Sequence, residues 1–462
     1  MSYTITFLEP IFDALLSAIF AKEGIEGAAY LLCGVSRTES EMRFLVQEMV
    51  PVRDEHYLRR EPFRLSIASE SYVPIAKRAR DSGQSILFVH SHPSGLQEFS
   101  DQDDLEEPRL MEFFQRRAPS GTHGAIVVSS RRALTARVWN GPNHVRVART
   151  RIIGRRFEFV DDMPAGEAPL PQFFDRQVRA FGPDIQRILL RLHVGIVGVG
   201  GTGSAVFEQL VRLGIGTISI FDHDAFDSTN VNRVYGSGTK DTNQQKVDIA
   251  HASALRIDVG TVVQTFPKGI NHEPSARALR NCDVVFCCTD KQAPRGILTQ
   301  LALRYLIPLI DMGVVIKSED EVIRGVFGRV TTFFPGEACL FCRERIKSET
   351  IRLEGLRPED RAGLVREGYA VELETNAPAV ITFTTAVAAQ AVSELLHRLT
   401  GFMGGDRAST EVLYRFHETA MSRNRQPANA NCLCSQRKLW GRGDSRYFLD
   451  LSWNSESHPR PR

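Results

Sequence analysis

The sequence contains no run of 18 apolar residues, so no membrane-spanning helix is expected. It carries no surplus of charge: 57 Lys and Arg face 55 Asp and Glu, a net of +2. That balance gives no reason to expect nucleic acid or an anionic membrane as a partner. The opening residues Met1 to Phe7 lack a basic segment, an apolar core and a cleavage site, so export is not expected and a cytoplasmic location is. No internal repeat or low-complexity tract occurs. Cysteine is scarce, with eight in 462 residues, and in a cytoplasm these would be reduced, so any that cluster point to metal rather than disulfides. What is present is ordinary for a globular protein: 42% hydrophobic, 24% charged, 35 Gly and 22 Pro. Those values exclude wholesale disorder and collagen-like repeats. At about 150 residues per domain, the length corresponds to roughly three domain-lengths.

The stretch from Gly141 to Gln172 reads as a boundary, with a Gly-Pro, a basic run and a segment rich in Pro, Gly and Ala. Upstream, Ile11 to Ala21 has helical spacing, while Ala28–Cys33 and Ser85–His90 read as strands. Downstream, the apolar runs Val194–Gly198, Thr217–Asp222, Asp283–Cys287 and Leu306–Ile310 are mostly separated by helix-length segments. This alternation predicts an α/β fold with a parallel sheet. After about Ser422 the pattern breaks down, and residues 423–462 hold eight Arg or Lys against three acidic residues.

The segment Phe88 to Asp103 is the first to carry chemistry. His90 and His92 lie two apart at a strand end, so their side chains share a face. With Asp103 they make three ligands, and Zn²⁺ held by three protein groups keeps a position open for a water whose pKa falls to about 7. Ser100, three residues before Asp103, places a hydroxyl where it could hydrogen-bond an attacked carbonyl's oxyanion. Alone, His-x-His is more often a plain strand end and Ser100 a helix cap. The full pattern, His-x-His, seven residues beginning with Pro93, then Ser-x-x-Asp, resembles the JAMM (JAB-type) metallopeptidases. That family cleaves at the C-terminus of ubiquitin-like proteins and uses an upstream glutamate as base. The resemblance implies Glu26 in this role, with Glu23 and Glu48 as alternatives.

The second constellation begins with Gly198-Val-Gly-Gly-Thr-Gly203, after an apolar strand and before a helical pattern. Gly198, Gly200, Gly201 and Gly203 permit a tight turn and let backbone amides approach phosphates. Asp222 ends the next strand, where a carboxylate accepts from ribose hydroxyls. These features alone do not separate NAD from ATP. Asn230, Arg233 and Lys246 suit a triphosphate better than a nicotinamide, and Asp290 at the end of a strand could hold Mg²⁺. As a set they resemble the ThiF-like adenylyltransferases of ubiquitin activation and of thiamine and molybdopterin biosynthesis, over roughly Phe173 to Met421. The resemblance implies ATP and Mg²⁺ as cofactors, Arg176 reaching the γ-phosphate, a homodimer, and an acyl-adenylate formed on a C-terminal glycine. No Gly-x-x-x-x-Gly-Lys-Ser/Thr motif is present, so the phosphates are not held by a P-loop.

Cys339-Leu-Phe-Cys342 and Cys432-Leu-Cys434 supply four thiolates, enough for a closed structural Zn²⁺ site. The resembling family often carries two Cys-x-x-Cys pairs, so the second pair here departs from its pattern. No cysteine lies between Arg343 and Asn431, where ubiquitin-activating enzymes place the one that takes the acyl group as a thioester. Cys282, Cys287 and Cys288 sit in or beside an apolar strand, where a thiol is usually inert.

The expectation is thus a JAMM-type α/β metallopeptidase domain (1–145), a linker (146–172), a Rossmann-like, doubly wound, mostly parallel adenylyltransferase domain (173–422) and a zinc-pinned tail (423–462). The chain would carry one catalytic and one structural zinc. It would adenylate the C-terminal glycine of a ubiquitin-like or sulfur-carrier protein, and process or deconjugate the same protein, with a conjugating-enzyme-like protein as a further partner. The alternative is sulfur-carrier activation for cofactor or cysteine biosynthesis without conjugation. An NAD oxidoreductase would leave Asn230, Arg233 and Lys246 idle, and a non-catalytic scaffold requires that Glu26 is not the base.

Overall fold

The computed structural model describes the chain except residues 63, 130–132, 163–168, 367–377, 405–409 and 454–462. Parts of the expected linker and tail therefore lie outside the described residues. Two compact units emerge: Met1–Glu167 with Arg304–Leu306 and Lys438–Ser445, and the remainder of Ala168–Arg462.

The first unit is built on strands β1 (Ser2–Leu8), β2 (Ala28–Arg37), β3 (Glu41–Pro51), β4 (Tyr57–Glu61), β5 (Arg64–Ile67), β6 (Ser85–His92), β7 (His123–Ser129), β8 (Leu134–Asn140), β9 (Asn143–Arg146), β10 (Arg149–Ile153) and β11 (Phe157–Asp161). Nine of these form one mixed sheet, β11-β10-β1-β3-β2-β6-β7-β8-β9, and β4-β5 is a separate ribbon. The central strands β2 and β6 are covered on both faces, which is why they read as near-continuous apolar runs. On one face lies α1 (Glu9–Ile19), whose Phe12, Leu15 and Ile19 recur at helical spacing into the core. On the other lie α2 (Ser69–Ser82) and α3 (Asp101–Arg117), packed through Ile75, Ala79, Met111 and Phe114. Full burial of a side chain such as Phe12 or Phe114 contributes about 2–3 kcal/mol.

The linker expected from residue 146 begins too early. Arg149–Ile153 pairs parallel with β1 and Phe157–Asp161 antiparallel with β10, closing one edge of the sheet. The basic run disguised a strand: Arg151 is buried because Glu41 and Thr4 meet its guanidinium at 3.0 and 2.8 Å.

The second unit holds β12 (His193–Val197), β13 (Thr217–Phe221), β14 (Val262–Phe266), β15 (Val284–Cys287), β16 (Leu309–Glu319), β17 (Val322–Phe333), β18 (Glu411–Arg415) and β19 (Ala420–Asn424). Their order is β14-β13-β12-β15-β16-β17-β18-β19. The first five run parallel, as the alternating pattern predicts, and β17 to β19 extend the sheet antiparallel. The apolar run at Leu306–Ile310 is the entry to a long hairpin, not an isolated strand. Helices α4 (Asp175–Phe181) and α5 (Pro183–Leu189) precede β12, α6 (Gly201–Leu213) follows it, and α7 (Lys246–Ile257) leads to β14. From β12 the chain steps outward to β13 and β14, then returns past β12 to β15 and β16. The carboxyl ends of β12 and β15 therefore flank a topological switch point, where open α/β sheets bind ligands.

Candidate functional site

In the first unit β6 delivers His90 and His92 to one face, both buried. Ser100 caps α3: its hydroxyl accepts from the Asp103 amide at 3.3 Å, while the Asp103 carboxylate accepts from the Ser100 amide at 2.7 Å. This capping box turns Asp103 back toward the histidines. Asp103 Oδ1 lies 3.0 Å from His90 Nε2 and Oδ2 lies 3.4 Å from His92 Nε2, and the two Nε2 atoms are 3.2 Å apart. Donors about 2.0–2.1 Å from a tetrahedral Zn²⁺ stand about 3.3 Å from one another, so the three atoms fit one face of such a site. Burial alone would push the His90 ring toward neutrality, but the Asp103 carboxylate outweighs it and raises its pKa. Conversely, burial would raise Asp103, and the bonds from both histidines hold it far below the usual carboxylate range.

Of the three candidate glutamates, Glu26 is the one coupled to this cluster. It is buried just before β2, and desolvation lifts its pKa to about 7 against the opposing pull of His90 and His92. Glu23 is exposed, and Glu48 pairs with Arg78 on the surface. The Ser100 hydroxyl donates to Asp103 Oδ2 at 2.7 Å, so it caps α3 and also braces the Asp103 carboxylate.

Sequence reasoning missed what fixes α3. Arg137 on β8 donates to Glu107 at 2.8 Å and to Asp104, stacks 3.9 Å from the Phe99 ring, and is itself buried. Glu107 also accepts from Trp139 at 3.1 Å. The acidic spacing along α3 hints at a buried face, but the partners on β8 emerge only from the sheet order.

In the second unit the glycine loop joins β12 to α6. Gly198 has φ +88°, and a Cβ on Gly203 would stand 1.9 Å from the Gly198 carbonyl oxygen, so both require glycine. Around Gly200, by contrast, a Cβ meets nothing within 4 Å, leaving the helix N-terminus open to a ligand. Asp222 is buried and binds the loop itself: Oδ2 accepts from the Val199 amide at 2.8 Å and Oδ1 from the Asp224 amide at 2.9 Å. Asp224 in turn meets Lys246 Nζ at 2.8 Å, at the first residue of α7. Burial would raise the Asp224 carboxyl, but Lys246 holds it below its ordinary value.

Arg233 crosses the start of α6, its side chain 3.3 Å from where a Gly201 Cβ would be, and it donates to the Thr229 carbonyl at 2.6 Å. Asn230 closes the turn Ser228–Asn230, which Asp227 caps. Asp290 is exposed shortly after β15, and Arg176 is exposed on α4. The structure thus ties Asp222 directly to the glycine loop, links it to Lys246 through Asp224, a partner the motif had not singled out, and sets Arg233 beside Gly201.

Cys339 and Cys342 also converge with Cys432 and Cys434 of the tail. Cys339 Sγ lies 3.8 Å from Cys342 Sγ and 3.5 Å from Cys432 Sγ, and Cys342 and Cys434 are 3.5 Å apart. Sulfurs about 2.3 Å from a tetrahedral Zn²⁺ stand about 3.8 Å apart, and with the Cys-x-Cys pair all four sulfurs still lie within 4.8 Å of one another. Hydrogen bonding from Cys339 brings the Cys434 thiol down to about 5. Beside the cluster, Glu411 accepts from Arg345 at 2.9 Å, from Thr331 at 2.8 Å and from Asn424 at 2.6 Å. Burial pushes the Cys287 and Cys288 thiols well up, consistent with packing rather than reactivity.

A Rossmann-like unit with a glycine loop at its switch point, carried with a separate α/β unit bearing a His-His-Asp cluster, defines the class. The chain belongs to the ThiF family, whose model matches residues 174–436. Residues 8–140 match the model of prokaryotic homologs of the JAB domain, so the chain is a JAB–ThiF fusion. The molybdopterin-synthase adenylyltransferase of Escherichia coli (strain K12) is 28% identical over 178 residues, 38% of this chain and 69% of that protein. The adenylyltransferase and sulfurtransferase UBA4 of Meyerozyma guilliermondii is 28% identical over 28% of this chain and 30% of its own length. The crystal structure of E. coli MccB with ATP is 16% identical, with a TM-score of 0.45 over 58% of this chain and 76% of that one.

Proposed function

We propose that the ThiF unit, taken as residues 173–422, adenylates the C-terminal glycine of a ubiquitin-like or sulfur-carrier protein. The observation that carries this reading is the contact chain from the glycine loop through Asp222 and Asp224 to Lys246, with Arg233 across the start of α6. ATP would place its ribose toward Asp222 and its phosphates at the N-terminus of α6. The glycine carboxylate attacks the α-phosphorus, the bond to the β-phosphate breaks, and pyrophosphate leaves. Arg233, Lys246 and Asn230 neutralise the charge that develops, Arg176 reaches the γ-phosphate, and Asp290 would hold Mg²⁺. Relatives named as molybdopterin-synthase and sulfur-carrier adenylyltransferases support this substrate class. ATP–pyrophosphate exchange driven by a Gly-Gly-ending protein tests it.

The JAB unit, completed by β10 and β11, is assigned as a peptidase acting on the same terminus. His90, His92 and Asp103 would hold Zn²⁺, which supplies Lewis acidity at neutral pH when bound. Glu26 takes and returns the proton, and the Ser100 hydroxyl turns its proton from Asp103 to the developing oxyanion. Cys339, Cys342, Cys432 and Cys434 would hold a second, structural Zn²⁺. With Cys282, Cys287 and Cys288 placed as packing, the acyl group passes to a partner: a conjugating-enzyme-like cysteine or a sulfur donor. Product analysis separates these two fates. We assign the chain as a homodimer, which sedimentation tests.

A further inference from the structure

Ser91 lies between the two ligand histidines, yet strand alternation turns its side chain to the opposite face of β6, where it is fully buried. It is not idle there. The hydroxyl donates to the Ile19 carbonyl at 3.0 Å, one of the orphan acceptors at the end of α1, and accepts from the Gly27 amide at 2.9 Å. The Ser91 amide donates to the Gly27 carbonyl at 2.9 Å. Gly27 is required for this close approach, since a Cβ there would stand 2.3 Å from the Ile19 carbonyl oxygen. Gly27 immediately follows Glu26.

The same backbone is held from the other side. Arg60 Nε donates to the Glu26 carbonyl at 2.7 Å, and the Arg60 guanidinium stacks 4.3 Å from the Tyr57 ring. The Tyr57 hydroxyl accepts from the Ala28 amide at 3.0 Å. Three consecutive residues, Glu26 to Ala28, are thus fastened by side chains from β6 and from the β4-β5 ribbon. The fastening on β6 sits between His90 and His92.

We propose that Ser91 is a positioning residue for the JAB-unit reaction: it latches the backbone that carries Glu26 to the strand that carries His90 and His92. The inference rests on the peptidase reading. A one-ångström shift of a general base costs about 100-fold in rate, whereas the ligand atoms themselves do not touch Ser91. The latch therefore governs turnover and not metal affinity.

The test uses the full chain loaded with zinc and a carrier protein extended beyond its Gly-Gly terminus. Ser91→Ala should lower kcat by about 100-fold, with KM and zinc dissociation constant within about threefold of wild type, and should speed exchange of the Gly27 amide by roughly tenfold. Exchange of Leu87, in mid-strand, should not change. Ser91→Thr, which restores the hydroxyl, should recover kcat and Gly27 protection, and Ser91→Cys covers the case in which alanine impairs folding. Unchanged kcat and unchanged Gly27 exchange would overturn the proposal. So would an equal loss of zinc affinity, which would make Ser91 a support for the ligands, or a failure of threonine to rescue. An inactive wild-type chain would count against the peptidase reading, and Gly27 exchange would then decide the latch on its own.

Discussion

His90 Nε2 and His92 Nε2 lie 3.2 Å apart, buried, and both face the carboxylate of Asp103. Two ring nitrogens that close, with a carboxylate across from them, offer three donor atoms that could hold one cation. The cysteine cluster has the same character, with four sulfurs all within 4.8 Å of one another. Metal analysis of the purified chain should therefore find two zinc ions. His92→Ala should leave one, and Cys339→Ser should remove the other and lower Tm. One zinc in the wild type would remove one of the two assignments.

The two reactions should separate genetically. His92→Ala should abolish cleavage of a C-terminally extended carrier while leaving ATP–pyrophosphate exchange within about twofold, since residues acting in independent sites contribute additively. Glu26→Gln should lower cleavage by about 100-fold or more with two zinc ions still bound. Loss of both activities in His92→Ala would contradict a two-site protein.

Two neighbouring glycines should respond differently to alanine. In Gly203→Ala the new methyl would stand 1.9 Å from the Gly198 carbonyl oxygen, so urea unfolding should show a loss of about 3 kcal/mol or more. Gly200→Ala meets nothing within 4 Å. It should fold within about 1 kcal/mol of wild type yet bind ATP roughly tenfold more weakly, because the methyl points where phosphate approaches the helix N-terminus. Calorimetric titration with ATP checks the second expectation.

Buried His123 predicts a pH dependence. It accepts from the Ile86 amide on Nδ1 at 3.1 Å and donates from Nε2 to the Ala118 carbonyl at 3.0 Å, so the ring is held neutral. Burial lowers its pKa below the ordinary 6.5, more than its hydrogen bonds raise it. The unfolded chain then takes up a proton at a higher pH than the folded one. The contribution is complete above pH 6.5 and is lost as pH falls through the folded pKa, with a slope of up to about 1.4 kcal/mol per pH unit. Unfolding free energies of wild type and His123→Gln, compared from pH 7.5 to 5, should converge as pH falls. A constant difference would contradict this.

Much of this was legible because the motifs are local. Residues 88–103 and 193–203 each fold as a strand, a turn and a helix start, so spacing alone places their side chains. Arg149 and Arg151 misled because charged residues in a strand look like a linker until their partners Asp161 and Glu41 are known. Asp222 reads as a ribose ligand, but only the fold reveals that its carboxylate also fastens the glycine loop through Val199. The bond between Arg137 and Glu107, and that between Ser91 and Gly27, join residues 30 and 64 positions apart, and no local pattern announces either.

Adenylation of a glycine terminus is read most simply from isotope exchange between pyrophosphate and ATP. With a sulfur-carrier or ubiquitin-like protein ending in Gly-Gly, the wild-type chain should incorporate labelled pyrophosphate into ATP. Exchange should vanish with Asp290→Ala or when the partner lacks its terminal glycine. No exchange by a folded, zinc-loaded chain across a panel of such partners would mean that the ThiF unit does not adenylate a glycine terminus.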